Sequence, residues 1–389
     1  MTSTGSLLSG LDCRACCTQV RPDRPVGTCP TCGGALLAQY DLSRLDAQGW
    51  CDHLEQRPRT LWRYRELLPV QAVESVVTLG EGYTPILPLD SVEAAEGVEV
   101  MMKDDGVLPT GSFKARGMAV AVSRVRELGV QETFVPSAGN AGVALAAYSA
   151  RAGLAARVYL PESTPATARS ACLAFGAEVV TAPGTIADVG DAARTRERGR
   201  GSFDLSTLRE PYRVEGKKTM GFEIFEQLRR EGLPDAIVYP AGGGTGLVGM
   251  FKAFDELRSV GLLDRMPRLI AVQPEGCAPL VRALGEGATR ARPWPEPHTA
   301  AAGLLVAAPF ASERILEAIR ESRGCGVTVT DPELRSAAAR LSLGHGVSAG
   351  LEGSAPFAAL PKLVEARKVV PGERILLYNT GAGHLSAES

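Results

Sequence analysis

Seven lysines occur in this sequence, at 103, 114, 217, 218, 252, 362 and 368, so each is worth asking about. Lys114 lies in Thr110-Gly111-Ser112-Phe113-Lys114-Ala115-Arg116-Gly117, just inside an expected helix start and behind a short glycine–serine turn. The positive end of a helix and a partly apolar surround lower an ammonium pKa, which a lysine that forms an imine needs. A lysine at a helix start is ordinary surface chemistry by itself, and its weight comes from three further segments. Pro136-Ser137-Ala138-Gly139-Asn140-Ala141-Gly142 follows an apolar run and opens a helical one. Small residues there let a ligand approach the backbone, exposed amides can bind a carboxylate, and the Asn140 amide suits an aromatic hydroxyl. Pro240-Ala241-Gly242-Gly243-Gly244-Thr245-Gly246 stands between an apolar strand and a helix, where consecutive amides make a phosphate cradle. Tyr378-Asn379-Thr380-Gly381-Ala382-Gly383-His384 follows a last apolar run, and the Thr380 hydroxyl can meet a ring nitrogen and leave it unprotonated. An imine lysine, an amide for a ring hydroxyl, a cradle for one phosphate and a hydroxyl for a ring nitrogen are the contacts that pyridoxal 5′-phosphate requires.

Two other patterns compete for attention. Gly244-Thr245-Gly246-Leu247-Val248-Gly249 matches GxGxxG, and Glu275 follows the next expected strand, which imitates a dinucleotide fingerprint. That reading leaves the lysine and Ser137–Asn140 segments without a role. Of nine cysteines, Cys13-x2-Cys16 and Cys29-x2-Cys32 form two close pairs, with turn formers Pro22, Asp23, Pro25, Gly27 and Pro30 between them. A hairpin that joins such pairs builds a tetrahedral thiolate site for a structural zinc ion, with Cys17 as a competing ligand.

The elements that must position these groups alternate. Apolar runs at 98–103, 133–136, 156–160, 178–182, 236–240, 269–273, 326–329 and 374–379 read as strands. Runs at 113–128, 141–152, 164–175, 218–231, 247–260 and 331–342 read as helices. Strands alternating with helices predict an α/β fold of open parallel sheets. A formal net charge of −2 offers no basic field for nucleic acid, and no apolar run reaches the roughly 18 residues of a membrane span. The first residues lack the basic n-region and apolar stretch of a secretory signal, so a cytoplasmic enzyme is expected.

At this point the sequence resembles the threonine synthase family of fold-type II pyridoxal-phosphate enzymes. Leu79-Gly80-Glu81-Gly82-Tyr83-Thr84-Pro85 looks like its LGEGxTP motif, 110–117 like its TGSFKDRG lysine motif, and Arg213-Val214-Glu215-Gly216-Lys217-Lys218-Thr219 like its RxEGxKT segment. Residues 137–142 are similar to its substrate and ring loop, and 242–246 to its phosphate loop. The resemblance implies a tryptophan-synthase-β-like fold with two open parallel sheets and a zinc-ribbon N-terminus. It implies a ribbon at 1–45, a large cofactor domain at 46–119 and 216–389, and a smaller inserted domain at 120–215.

By resemblance, Lys114 carries the imine, Asn140 bonds the ring hydroxyl, Gly242, Gly243, Gly244 and Thr245 bind the phosphate, and Thr380 meets the ring nitrogen. Ser137, Ala138, Gly139 and Ala141 would contact the amino-acid substrate, and Arg213 its phosphate. The implied reaction turns O-phosphohomoserine and water into threonine and phosphate, in a homodimer. Several positions depart from the family. Ala115 stands for aspartate, Ala138 and Ala141 for hydroxyl residues, Thr207-Leu208 for an Asn-Ser pair, and Gly303-Leu304-Leu305-Val306 lacks an arginine. Gly383-His384-Leu385 replaces a GLK-like continuation. These departures keep open a paralogue that performs β-replacement or elimination on serine, phosphoserine or threonine, with cysteate synthase-like or dehydratase chemistry.

Overall fold

The computed structural model describes residues 5–90, 92, 95–137 and 139–383; Ala138, His384 and Leu385 lie outside the described residues. The chain divides into two compact units. Unit one holds the residues up to Tyr83, Lys114–Thr219 and Ser259–Leu262; unit two holds Thr84–Phe113, Met220–Arg258 and the residues from Leu263 onward.

Unit two is built on a six-stranded sheet. Its order is Gly326–Val329, Arg268–Pro274, Ala236–Pro240, Arg374–Asn379, Glu99–Asp104 and Ile86–Pro88. All neighbours run parallel except the edge strand Ile86–Pro88, which is antiparallel to Glu99–Asp104. Every residue of Ala236–Pro240 is buried, as the unbroken apolar run requires of a central parallel strand. Val100, Met102, Val238, Ile270, Val272, Ile375 and Leu377 point into one core with Phe357 and Leu360. Those last two come from helix Leu351–Glu365, which contains Pro356 and Pro361 and has no counterpart in the sequence reading.

Unit one carries a four-stranded sheet in the order Glu178–Ala182, Ala155–Pro161, Glu132–Pro136 and Phe203–Asp204, parallel throughout. Near its N-terminus a three-stranded antiparallel sheet pairs Leu8–Cys13 with Thr18–Val20 on one side and Leu37–Tyr40 on the other. The expected strands recur within a residue or two of their sequence-based bounds.

One helix differs in a way that matters. The run expected at 218–231 is a helix over Arg213–Leu228. Gly216 is a poor helix former, and no standard capping side chain announces a start before Arg213. The correction moves Arg213 and Lys217 from a loop onto one helix, four residues apart and hence on one face.

Candidate active site

In unit one, Lys114 is the first residue of helix Lys114–Glu127. The Ser137–Asn140 loop leaves the C-terminal end of strand Glu132–Pro136, and Asn140 opens helix Asn140–Ala152, which packs on the lysine helix. Ligands of open α/β sheets collect at such strand ends. Ser137 Oγ accepts from Gly139 N at 3.1 Å and Gly142 N at 3.0 Å, so the hydroxyl closes its own loop. Gly139 takes φ 146° at the turn, where a side chain would be strained. The Asn140 amide makes no side-chain hydrogen bond among the described residues and is available to a ring hydroxyl. Ala141 offers no polar atom. Glu81 of the LGEGxTP segment is buried and accepts from Trp62 Nε1 at 3.0 Å, Tyr148 Oη at 2.7 Å and Leu79 N at 2.8 Å. Burial, then the Glu81 charge, pushes the Tyr148 phenol well up, so it stays a donor. Glu81 thus ties that loop to helix Asn140–Ala152.

Arg213 is 1 % exposed and donates Nη1 to Leu205 O at 2.5 Å. Its Nε and Nη2 have no hydrogen-bond partner among the described residues. The Glu210 carboxylate accepts from Tyr212 N at 2.7 Å and Arg213 N at 3.0 Å. Burial pushes that carboxyl up to about 7, against the pull of Arg213, the two amides and Lys217. The helices that bear Lys114 and Arg213 cross at glycines. A Cβ on Gly216 would fall on the Arg116 carbonyl, and one on Gly117 would meet Arg213 O at 3.0 Å. Beside the crossing, Lys218 bonds Glu215 at 2.8 Å and lies 3.8 Å from the Tyr40 ring centre.

In unit two, the loop of Gly242, Gly243 and Gly244 leaves the end of Ala236–Pro240, and Thr245 begins helix Thr245–Ser259. The first amides of a helix have no acceptor in the helix and favour an anion. Gly244 takes φ 62°, and a Cβ there would lie 2.5 Å from Ile315 Cδ1, so the backbone comes close to its neighbour. Thr380 follows the adjacent parallel strand, so both segments emerge at one edge of the sheet. Its carbonyl accepts from Phe113 N at 3.0 Å, and Ser112 bridges Gly381. Asn379 fixes that turn: Nδ2 donates to Asp104 Oδ1 at 2.8 Å and Oδ1 accepts from Gly381 N at 3.1 Å. The Tyr239 ring packs edge-on to Phe113 at 6.2 Å and tilted against Tyr378 at 5.4 Å, which joins the three segments.

Ser112 is 0 % exposed and its hydroxyl has no partner among the described residues. An orphaned buried hydroxyl beside the Thr380 turn, in the unit that also carries an anion-accepting helix start, fits a phosphorylated ring cofactor. The sequence reading passed over Ser112, although it sits inside the lysine motif. It also passed over Glu210, which lies outside every motif, and Lys217, which stands at the open position of RxEGxKT.

The four thiols of Cys13, Cys16, Cys29 and Cys32 lie within 4.8 Å of one another, with Cys13 to Cys32 at 3.4 Å and Cys16 to Cys29 at 3.6 Å. A zinc ion with four sulfurs at about 2.3 Å sets them about 3.8 Å apart, so this group could hold zinc. Desolvation opposes ionisation of Cys29, but the Cys32 and Thr31 amides and neighbouring thiols bring it down to about 6. The Gly34 amide lowers Cys32, yet Cys13 and Cys16 push it up to about 12. Four thiolates at this spacing need a cation. Cys17 lies outside the group, at the exposed turn with φ 59°.

Residues 77–381 match the model of a family described as pyridoxal-phosphate dependent enzyme. The threonine synthase of Methanocaldococcus jannaschii is 34% identical over 373 residues, covering 95% of this chain and 91% of its own. The threonine synthase of Mycobacterium tuberculosis is 31% identical over 327 residues, covering 84% and 88%. Among solved structures, maize serine racemase superposes with TM-score 0.69 at 19% identity, over 84% of this chain and 94% of its own. A threonine deaminase from T.th. gives TM-score 0.65 at 26% identity, over 77% and 92%. The fold is thus shared with enzymes named for racemase and deaminase reactions.

Proposed function

Because the chain belongs to the threonine synthase family of pyridoxal-phosphate dependent enzymes, we propose that it converts O-phosphohomoserine and water to threonine and phosphate. The observation that carries the choice of a phosphorylated substrate is Arg213, a buried guanidinium with two nitrogens that lack an acceptor among the described residues. A buried charge with orphaned donors is costly unless an anion completes it, and a guanidinium fork matches phosphate.

When bound, pyridoxal phosphate supplies an electron sink that stabilises negative charge developing on the substrate's carbons. The Gly242, Gly243, Gly244 and Thr245 segment would hold its phosphate, Asn140 its ring hydroxyl and Thr380 its ring nitrogen. Lys114 would hold its aldehyde carbon in the resting enzyme. Once substrate frees it, the Lys114 amine is the base and acid that removes protons at the α and β carbons and returns them at the γ and α carbons. Arg213 binds the side-chain phosphate, which leaves the γ carbon, and water adds at the β carbon. Ser137, Gly139 and Ala141 border the substrate carboxylate, and the Ser137 hydroxyl acts by holding the loop amides in place.

A second reading has its own observation. With Ser137 turned into its loop and alanine at 141, the described part of this loop presents no spare hydroxyl to a substrate. That favours a paralogue acting on serine, phosphoserine or threonine by β-replacement or elimination. Holoenzyme supplied separately with O-phosphohomoserine, O-phosphoserine, serine and threonine decides between them. Equal yields of phosphate and threonine from O-phosphohomoserine support the synthase; turnover of another amino acid alone replaces it with the paralogue.

A further inference from the structure

The helix that bears Arg213 begins out of an irregular stretch. Residues 205–212 belong to no strand or helix, and Leu208 takes φ 58° among them. A helix that starts from such a loop owes its place to what packs on it. The N-terminal three-stranded sheet, with the turn between its cysteine pairs, supplies that packing inside unit one. Gly27 in the turn has no room for a side chain, because a Cβ there would lie 2.9 Å from Arg209 O. Pro22 O, in the same turn, accepts from Arg124 Nη2, and the Arg124 guanidinium lies 5.9 Å from the Tyr212 ring centre. Tyr40 ends strand Leu37–Tyr40 and donates its phenol to Glu215 Oε2 at 2.9 Å. Glu215 is fully buried, and Lys218 Nζ meets the same oxygen at 2.8 Å. Glu215 stands in the first turn of the helix, two residues after Arg213. Residues at that spacing do not face each other, so Tyr40 grips the turn from a side that Arg213 does not occupy.

We infer that the N-terminal sheet sets the place of the phosphate-binding guanidinium, and that Tyr40 is a positioning residue that acts through Glu215 on the first turn of the Arg213 helix. The inference rests on the reading of Arg213 as a ligand of substrate phosphate. A guanidinium fork recognises phosphate by geometry, and such a group must be held within about 0.5 Å of its productive place. A phenol that donates to a buried carboxylate makes a directional bond, which fixes the turn in a way that apolar packing does not.

The test is calorimetric titration of holoenzyme with inorganic phosphate, for the wild type, Tyr40→Phe and Arg213→Gln. Thermal unfolding and the cofactor's absorption spectrum are followed alongside. Tyr40→Phe keeps the ring beside Lys218 and removes only the bond to Glu215. Its phosphate affinity should fall about threefold to tenfold, and the KM for O-phosphohomoserine should rise by a similar factor. Its kcat should stay within about twofold, with the absorption spectrum unchanged, because the Lys114 chemistry is not touched. Arg213→Gln should lose phosphate binding altogether. A lowered unfolding midpoint in Tyr40→Phe with phosphate affinity and KM retained marks a structural tyrosine and overturns the inference. If Arg213→Gln loses phosphate while Tyr40→Phe binds it as the wild type does, Arg213 keeps its role and only the inference about Tyr40 falls. If Arg213→Gln binds phosphate unaltered, the reading of Arg213 falls and this inference falls with it. If phosphate binding depends on both residues but O-phosphohomoserine is not turned over, the positioning role stands and the synthase reading falls.

Discussion

Of the three fully buried lysines among the described residues, Lys103 of unit two and Lys217 of unit one meet opposite surroundings. In unit two, Lys103 Nζ bonds Glu223 at 2.9 Å, Thr84 O at 2.7 Å and Gln227 Oε1 at 2.7 Å. An ammonium has three donors, and here each has an acceptor. Thr84 and Tyr378 in turn both donate to Asp105. In unit one, Lys217 is faced by Arg213 and Lys114, with Glu210 beside them and its carboxyl raised by burial to about 7. The same side chain is at one place held by three acceptors and at the other set close to other cations. Burial alone does not set a lysine's state; the acceptors and like charges around it do.

The largest expected effect tests whether the unit-one cations serve chemistry. Lys114→Ala should lower turnover by on the order of 10⁴-fold with the unfolding midpoint nearly kept; steady-state kinetics beside thermal unfolding reads both. Substantial residual turnover would remove Lys114 from its role. Next, Lys103→Met should cost about 3–5 kcal/mol of stability, because the buried Glu223 loses the Lys103 ammonium. Denaturant unfolding measures it, and the double variant with Glu223→Leu should recover much of the loss. Equal behaviour of Lys103→Met and Lys217→Met would erase the contrast.

A smaller effect concerns Glu210, whose carboxyl is raised to about 7 in the fold. A raised acid is fully compatible with the fold below its unfolded pKa and loses that contribution as pH climbs through about 7. Wild-type stability should therefore decline relative to Glu210→Gln between about pH 5 and 8, by up to roughly 3 kcal/mol. Parallel unfolding curves across that range would contradict the assignment. The smallest effect on catalysis is expected at the cysteines. Metal analysis should find about one zinc per chain, and its removal by a chelator should lower the unfolding midpoint while kcat changes less than about twofold.

The sequence made much of this legible where one residue type has one use. The glycine loop at 242–244 stands between an apolar strand and a helix, so strand, turn and helix announce one another. The paired cysteines carry their own spacing. The expectations failed where packing overrides propensity. Pro356 and Pro361 hide a helix that the core of unit two holds in place. Gly216 hides the start of the Arg213 helix, and with it the alignment of Arg213 and Lys217. Ser137 has the right type for a ligand, but only coordinates reveal that its hydroxyl is spent on its own loop.

The glycine crossing of the Lys114 and Arg213 helices bears on how this enzyme can be re-engineered. At Gly117 and Gly216 backbone meets backbone, so even one added carbon pushes the helices apart. Libraries that randomise these two positions will mostly return misfolded clones, whatever substrate is screened. Substitutions at positions 210 and 217 change side chains and leave that backbone contact in place.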